Sequence, residues 1–388
     1  MRIRGHEMHL DNCLNFYDFR ALARRKLPGP IFNYIDGAAD DEATLRQNTA
    51  SFESCDLIPN ILRGVDTIDM SVTVMGQKLA MPVYCSPTAL QRLFHHRGER
   101  AVAAAAAKFG TMFGVSSLGT VSLEELRKAY DTPQVYQFYF HKDRALNRAM
   151  MQRAKDAGVN VMALTVDSIT GGNRERDLRT GFSIPFQLTF GGMLQFAIKP
   201  TWAINYLTHE RFALPQLDEH VDMSGGAMSI GRYFTEMLDP TMNWTDVGEM
   251  VRAWDGQFCL KGVMSVADAK RAVDIGCTGI ILSNHGGRQL DGSRAAFDQL
   301  AEIVDAVGDR IDVMMDGGVR RGTHVLKALS LGAKAVGVGR YYLFPLAAAG
   351  QAGVERALNL MRTEIERDMK LMGCSSISEL SRANLRFR

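Results

Sequence analysis

Short, almost unbroken apolar runs recur along this chain from Pro82 onward, each followed by a stretch whose apolar residues return every three or four positions. The runs Pro82–Ser86, Thr111–Val115, Gln134–Tyr139, Val161–Val166, Gln257–Lys261, Gly279–Ser283, Asp312–Asp316 and Ala335–Val338 are predicted strands. The stretches Gly98–Phe109, Ser122–Tyr130, Asp143–Ala157, Thr245–Ala253, Val266–Ile275, Arg294–Val307 and Arg320–Leu329 are predicted helices. A strand apolar on both faces belongs in a parallel sheet covered by helices on both sides. Repeated strand–helix units in this number favour closure into a (β/α)8 TIM barrel, an α/β fold, over an open doubly wound sheet. Residues 12–60 read as helices able to cap one end of the barrel at 82–340. Val354–Leu371 and Ser376–Ser381 read as terminal helices within 345–381, so that 1–388 forms a single domain.

One connection breaks the rhythm. Roughly eighty residues separate the fourth strand from the next helix, where such loops usually take about two to six, and 178–243 is read as an insertion. Within it, Phe182–His209 carries Lys199 as its single Lys, Arg, Asp or Glu, among Phe182, Phe186, Phe190, Phe196, Trp202 and Tyr206. Pro185, the Gly191-Gly192 pair and Pro200 exclude one continuous helix. Two readings stay open. The segment is either a lid burying its rings on the barrel or an interfacial segment dipping into a membrane surface, with Trp202 and Tyr206 at headgroup level. Its length favours the second.

Composition narrows the class. With 46% hydrophobic and 23% charged residues the chain is an ordinary soluble globular protein, neither disordered nor collagen-like. A net charge of +2 with no Lys/Arg block gives no reason to expect nucleic acid. Cys13, Cys55, Cys85, Cys259, Cys277 and Cys374 show no CxxC spacing. They read as reduced thiols of a cytoplasmic protein, neither metal ligands nor a disulfide frame. The opening Met-Arg-Ile-Arg-Gly-His-Glu has no apolar stretch, so no signal peptide is expected, and no run is long enough to span a bilayer.

Active-site groups of a barrel sit at the C-terminal ends of its strands. Those ends read Pro87-Thr88-Ala89, Ser116-Ser117, Gln137-Phe138-Tyr139, Thr165-Val166-Asp167 and Lys261-Gly262, then Ser283 through Asp291, Asp316 through Gly322, and Gly337 through Arg340. The last two resemble a phosphate site: glycines let backbone N–H groups approach an anion, a helix N-terminus adds its dipole, and Arg340 can fork onto phosphate oxygens. His285 stands in a glycine-bounded loop with Arg288 three residues on and Asp291 at the loop's end. A base able to take a hydroxyl proton beside a cation able to hold a carboxylate is what oxidation of a 2-hydroxy acid needs. Asp167 can orient that imidazole, or serve merely as a cap. Lys261 is either a lysine snorkelling at the rim or a positive charge for an electron-rich cofactor.

With those residues in place, the run Ser283-Asn284-His285-Gly286-Gly287-Arg288-Gln289-Leu290-Asp291 resembles the active-site signature of the FMN-dependent 2-hydroxy-acid oxidases and dehydrogenases. That family includes glycolate oxidase, flavin-type L-lactate dehydrogenase and (S)-mandelate dehydrogenase, and the resemblance runs from Tyr17 to about Leu380. It implies His285 as the base, paired with Asp167, and Arg288 and Arg174 on the substrate carboxylate. It implies hydrogen bonds from Tyr34 and Tyr139 to the substrate, and Lys261 against the flavin. Thr88, Ala89, Ser116, Gln137, Thr165 and Ser283 would line FMN, with Asp316, Gly317, Gly318, Arg320, Gly339 and Arg340 around its ribityl phosphate. No metal is implied.

Leu118 departs from the tryptophan that glycolate oxidases share, which enlarges the pocket and points to lactate, an aryl acid or a longer acid. Ala89 is alanine as in glycolate oxidases, where mandelate dehydrogenases have glycine. The Gly171–Asp177 stretch before an aromatic-rich insertion looks like the membrane-associated bacterial dehydrogenases. The first expectation is therefore oxidation of L-lactate to pyruvate, with a quinone or cytochrome as acceptor in place of oxygen. The expected protein is a homotetramer in the cytoplasm, peripheral on the inner membrane. (S)-Mandelate oxidation, or an oxygen-using oxidase, is the alternative. A non-redox phosphate-binding isomerase leaves the His-Gly-Gly-Arg loop without a task, and a non-catalytic flavin scaffold leaves every catalytic position filled to no purpose.

Overall fold

The computed structural model describes residues 9–182, 195–196, 198–217 and 236–388. Its helices begin with α1 (Phe16–Lys26), α2 (Gly29–Asp36) and α3 (Ala43–Ala50), and α4 (Gly98–Lys108), α5 (Leu123–Ala129) and α6 (Arg144–Asp156) alternate with the first barrel strands. A strand β1 (Cys55–Leu57) and a hairpin β2 (Val72–Val74) and β3 (Gln77–Leu79) follow. The barrel strands are β4 (Val83–Cys85), β5 (Phe113–Ser116), β6 (Gln134–Tyr139), β7 (Val161–Thr165), β8 (Gln257–Lys261), β9 (Gly279–Leu282), β10 (Asp312–Asp316) and β11 (Val336–Val338). They pair in parallel and close, β11 returning to β4. Each matches one of the eight apolar runs to within two residues at either end, because a strand covered on both faces must be apolar throughout. All six residues of β6 are buried.

Two apolar layers result. The larger lies between strands and helices; the smaller fills the barrel with Tyr84, Ala163, Cys259, Ile281 and Met314. Val74, Met75 and Leu79 of the hairpin join the inner layer, and Met75 N–H donates to the Asp312 carboxylate at 2.6 Å. The hairpin thus plugs the N-terminal end of the barrel, while α2 and α3 reach the opposite end, where the strands finish.

Three readings of the termini are corrected. Ser376–Ser381 is not a helix: it contains the single 3-10 turn Ile377–Glu379, and Ser381 caps the next turn, Arg382–Asn384. The chain then ends in β12 (Leu385–Phe387), antiparallel to β1, so residues 12–60 are not all helical. The last long helix also starts earlier than Val354, running Arg340–Met372 with a break at Ala349 and Gly350.

Of the insertion, α7 (Glu175–Thr180) and α8 (Pro200–Thr208) are described, whereas Pro185, Phe186, Phe190 and the Gly191-Gly192 pair lie outside the described residues. Pro200 opens α8, where its missing N–H costs nothing. The placing of Trp202 and Tyr206 at a membrane headgroup level is corrected. Trp202 donates its indole N–H to the Leu93 carbonyl at 2.7 Å and Tyr206 stacks on it at 5.0 Å, both half-buried against the barrel. An indole N–H that leaves water needs a partner, and the loop before Phe94 supplies it. The outward face of α8 carries Ile204 and Leu207 instead, 59% and 78% exposed.

Candidate active site

The strand ends enclose an open cavity of about 1140 Å³, mouth included. Register brings its wall together. Ser116 lies opposite Gln137, and Tyr139, Thr165 and Lys261 stand in line across β6, β7 and β8. Ser116 donates to the Gln137 amide oxygen at 2.9 Å, and the amide nitrogen donates to Thr165 Oγ1 at 2.8 Å. Lys261 is almost wholly buried, with Nζ 3.0 Å from Ser283 Oγ and 3.5 Å from the Asp316 carboxylate. Burial works against its charge, yet Asp316 and Asp167 outweigh that and push its pKa above the ordinary value. It is a fixed cation on the cavity wall.

His285 takes a left-handed backbone conformation, φ +56°, uncommon for a residue with a side chain and held here by its N–H on Ser283 Oγ at 3.1 Å. Its Nδ1 lies 3.0 Å from Asp167 Oδ1. A carboxylate accepts, so Nδ1 carries the proton and Nε2 keeps its lone pair for the cavity. Burial opposes ionisation of Asp167, but His285 beside it, with Lys261 and Ser168, holds the carboxyl below its usual range. Burial pushes the Tyr139 hydroxyl well above its ordinary pKa, so it stays a donor.

Arg288 donates through Nη1 to the carbonyls of Tyr34 at 2.6 Å and Gly37 at 3.1 Å, and lies over the Tyr34 ring. The Nη2 side of its fork is left for a ligand. Arg174 also faces the Tyr34 ring but is paired with Asp177 at 3.2 Å. The α2–α7 contact that unites Tyr34 with Arg174 is tied by Asp36, which Arg20 and Arg176 grip at 2.5 and 2.9 Å.

Next to Arg288, Arg340 donates to the carbonyls of Ile35, Gly286 and Gly37, the last shared with Arg288, and Arg320 lies over the Phe16 ring. Burial lowers Arg340 to about 9 and Arg320 to about 10. Among the described residues neither they nor Arg288 has a carboxylate within ion-pair distance. Buried cations without counter-charge are costly, so this end of the cavity is built for an anion. The helix that starts at Arg340 has no side-chain cap, which leaves its first N–H groups for that anion. Gly317 and Gly318, at φ +102° and +75°, bend the backbone around the same end. The donors fit FMN: guanidinium groups and glycine backbone for a phosphate, and polar side chains with one lysine for a flat polar ring.

Every residue expected at the site meets there, but two stand behind its wall. Ser283 was expected to line the flavin; it is fully buried and bridges Lys261 to Asp316, donating to the latter at 2.6 Å. Asp167 reaches the cavity only through His285. Asp291, at the end of the motif, accepts from Thr44 and Ala43 N–H and so anchors α3. Sequence reasoning missed Asn48, whose amide pairs reciprocally with Asn284 at 2.8 and 2.7 Å, and Phe94, which nothing near it in the chain marks. Gln289 could have been found from the motif; it holds the carbonyls of Asp167 and Thr170.

A Cβ at Gly318 would stand 1.8 Å from the Asn48 carbonyl, in a conformation side chains resist. Gly318→Ala is therefore expected to displace α3, lowering the melting temperature by several degrees and the bound flavin per chain. Unchanged melting and flavin absorbance would show that the contact is not needed.

The FMN-dependent dehydrogenase family model matches residues 23–387. Glycolate oxidase 1 of Oryza sativa subsp. indica is 39% identical over 96% of this chain and 95% of its own length. L-lactate oxidase of a Nostoc species is also 39% identical, over 96% and 97%. The crystal structure of the monotopic membrane protein (S)-mandelate dehydrogenase superposes with a TM-score of 0.91 at 32% identity, covering 97% of this chain and all of that one.

Proposed function

The chain belongs to the FMN-dependent dehydrogenase family, an FMN-dependent 2-hydroxy-acid oxidoreductase, and on that premise we propose that its substrate is an L-2-hydroxy acid with an apolar side chain, L-lactate first. The observation that carries this is Leu118. It lines the cavity, as do Phe94 and Tyr34, and a leucine there takes less space than the tryptophan that glycolate oxidases share. (S)-Mandelate is the second reading, favoured by the structural likeness to (S)-mandelate dehydrogenase.

FMN, when bound, takes the two electrons that leave the substrate. Arg288 and Arg174 hold the carboxylate, and Tyr34 and Tyr139 hydrogen-bond the carboxylate and hydroxyl. His285 Nε2 takes the hydroxyl proton, and Asp167 stabilises the imidazolium that results. Lys261 would hold positive charge against the flavin ring. Arg320 and Arg340, with Gly317, Gly318 and Gly339, would hold the phosphate, with Asp316 beside it at the ribityl chain, and Thr88, Ala89, Ser116, Gln137 and Thr165 would face the rest.

The electron acceptor is read as a quinone or cytochrome at a membrane. No helix among the described residues is long and apolar enough to cross one. Peripheral contact rests on the exposed Ile204 and Leu207 of α8 and on the likeness to a monotopic protein.

The test is anaerobic bleaching of the flavin by lactate, glycolate, mandelate and longer 2-hydroxy acids. Lactate or mandelate is expected to exceed glycolate in kcat/KM. Leu118→Trp fills that space and should move the glycolate-to-lactate ratio toward glycolate by at least ~10-fold, the usual worth of a filled apolar subsite. An unmoved ratio would take Leu118 out of specificity, and a wild type that prefers glycolate would sink the apolar-substrate reading.

A further inference from the structure

Two guanidinium groups meet at the proposed substrate site. Arg174 is the N-cap of α7, Arg288 stands in the loop after β9, and the Tyr34 ring of α2 faces both, at 5.6 and 4.7 Å. Like charges over one ring repel, and leaving water adds to the cost. Burial first, and Arg174 next, hold the Arg288 pKa below its ordinary value. A substrate carboxylate relieves both cations. The chain already carries one carboxylate that does so in part.

It is Asp177, in the first turn of α7. Its Oδ2 lies 3.2 Å from Arg174 Nε, and both side chains are largely withdrawn from water. Arg174 lines the cavity and Asp177 stands behind it. Burial raises the Asp177 pKa above the ordinary carboxylate value, although Arg288 and Arg174 both favour its charge. Its place is fixed from two sides. Asp177 N–H donates to the Arg174 carbonyl at 3.0 Å, and the Asp177 carbonyl accepts from Phe182 N–H at 2.9 Å. The Phe182 ring in turn stacks on Tyr34 at 4.5 Å. Tyr34 and Asp36 are the titratable groups of α2, the helix packed on α7, and Asp36 is taken by Arg20 and Arg176.

We propose that Asp177 is the internal counter-ion of the substrate site, a positioning residue that orients Arg174 and sets how tightly a carboxylate is held. The proposal rests on the hydroxy-acid reading above and adds a residue to it. By engaging the Nε edge, Asp177 leaves the Nη groups of Arg174 for the substrate, as the Tyr34 and Gly37 carbonyls leave one arm of Arg288. Its charge also opposes the incoming carboxylate, because the two anions compete for the same cations. The gain is in release. A keto acid keeps the carboxylate that the hydroxy acid brought, and a site that grips both alike gains nothing in the chemical step. The competition depends on pH. Two guanidiniums and an ionised Asp177 leave one net positive charge, and protonation of Asp177 leaves two. A carboxylate therefore binds more tightly as the pH falls through the Asp177 range, which lies above that of an ordinary aspartate.

The test titrates pyruvate and benzoylformate into the oxidised holoenzyme across the range from about pH 5 to about pH 8, with Kd read from the flavin absorbance. Asp177→Asn removes the charge and keeps an oxygen toward Arg174. At the alkaline end it is expected to tighten keto-acid binding by at least ~5-fold, the effect of one charge beside a partly buried ion pair, and to lower the KM of the hydroxy acid by a similar factor. The difference should shrink as the pH falls, because wild-type Asp177 then loses its own charge. Groups that the substitution leaves in place, His285 among them, act alike in both proteins and cancel from the ratio. A role in folding alone would give no such pH dependence. Where Asp177→Asn melts early or loses flavin, Asp177→Ser, also neutral, carries the comparison. Unchanged or weaker binding in a folded neutral variant, or a gain that ignores pH, would overturn the proposal. If neither keto acid perturbs the wild-type flavin, the hydroxy-acid reading itself fails; normal wild-type binding with an unaltered variant defeats the role of Asp177 alone.

Discussion

His285→Gln is expected to retain bound FMN and to lose turnover by at least ~10²-fold, the common span for removal of a general base. His285 is the imidazole whose Nδ1 is engaged by the buried Asp167 at 3.0 Å, which leaves Nε2 as a lone-pair acceptor on the cavity wall. Glutamine can fill the volume and keep a hydrogen bond to Asp167, but its amide cannot take a proton at neutral pH. The residues proposed for the phosphate are Arg320, Arg340 and the glycines, so cofactor content should not follow activity. The measurement is anaerobic stopped-flow reduction of the flavin by substrate beside the flavin-to-protein ratio. Reduction at near wild-type rate would remove His285 from the chemistry.

Arg288→Lys should lower kcat/KM by at least ~30-fold, about 2 kcal/mol at 1.36 kcal/mol per tenfold. Lysine keeps the charge and loses the planar fork. In the protein one arm of that fork is spent on the Tyr34 and Gly37 carbonyls, which orients the other arm. An ammonium has no rigid second arm, so it either keeps the loop or meets the carboxylate, with neither geometry held. Both KM and kcat should suffer, and the Kd of the keto-acid product should rise while melting temperature and flavin content stay near wild type. A variant kinetically identical to wild type would put the carboxylate elsewhere.

The barrel was legible because its strands are buried on both faces, which forces apolar runs long enough to see; all eight were located to within two residues. The elements that escaped notice lack that constraint. The hairpin reads Val-Thr-Val and Gln-Lys-Leu, too short and too polar to stand out, and becomes a plug only because the barrel needs its N-terminal end filled. β12 exists because Leu385–Phe387 meets Cys55–Leu57 across almost the whole chain, a pairing no local pattern encodes.

The site divides in the same way. Chemistry that must lie close together in the chain was readable: the loop from Ser283 to Asp291 places the proposed base, the proposed carboxylate-binding arginine and the acid that anchors α3 within nine residues. Roles set by direction were not. Whether Ser283 faces the cavity or supports Lys261 from behind depends on strand register, and whether Trp202 faces lipid or barrel depends on a carbonyl of Leu93, distant in sequence. By itself the sequence determined the barrel, the family and the residue types of the catalytic centre, because burial and local spacing leave their mark residue by residue. Only the tertiary structure decided which groups line the cavity and which stand behind it, because those depend on contacts between segments far apart along the chain.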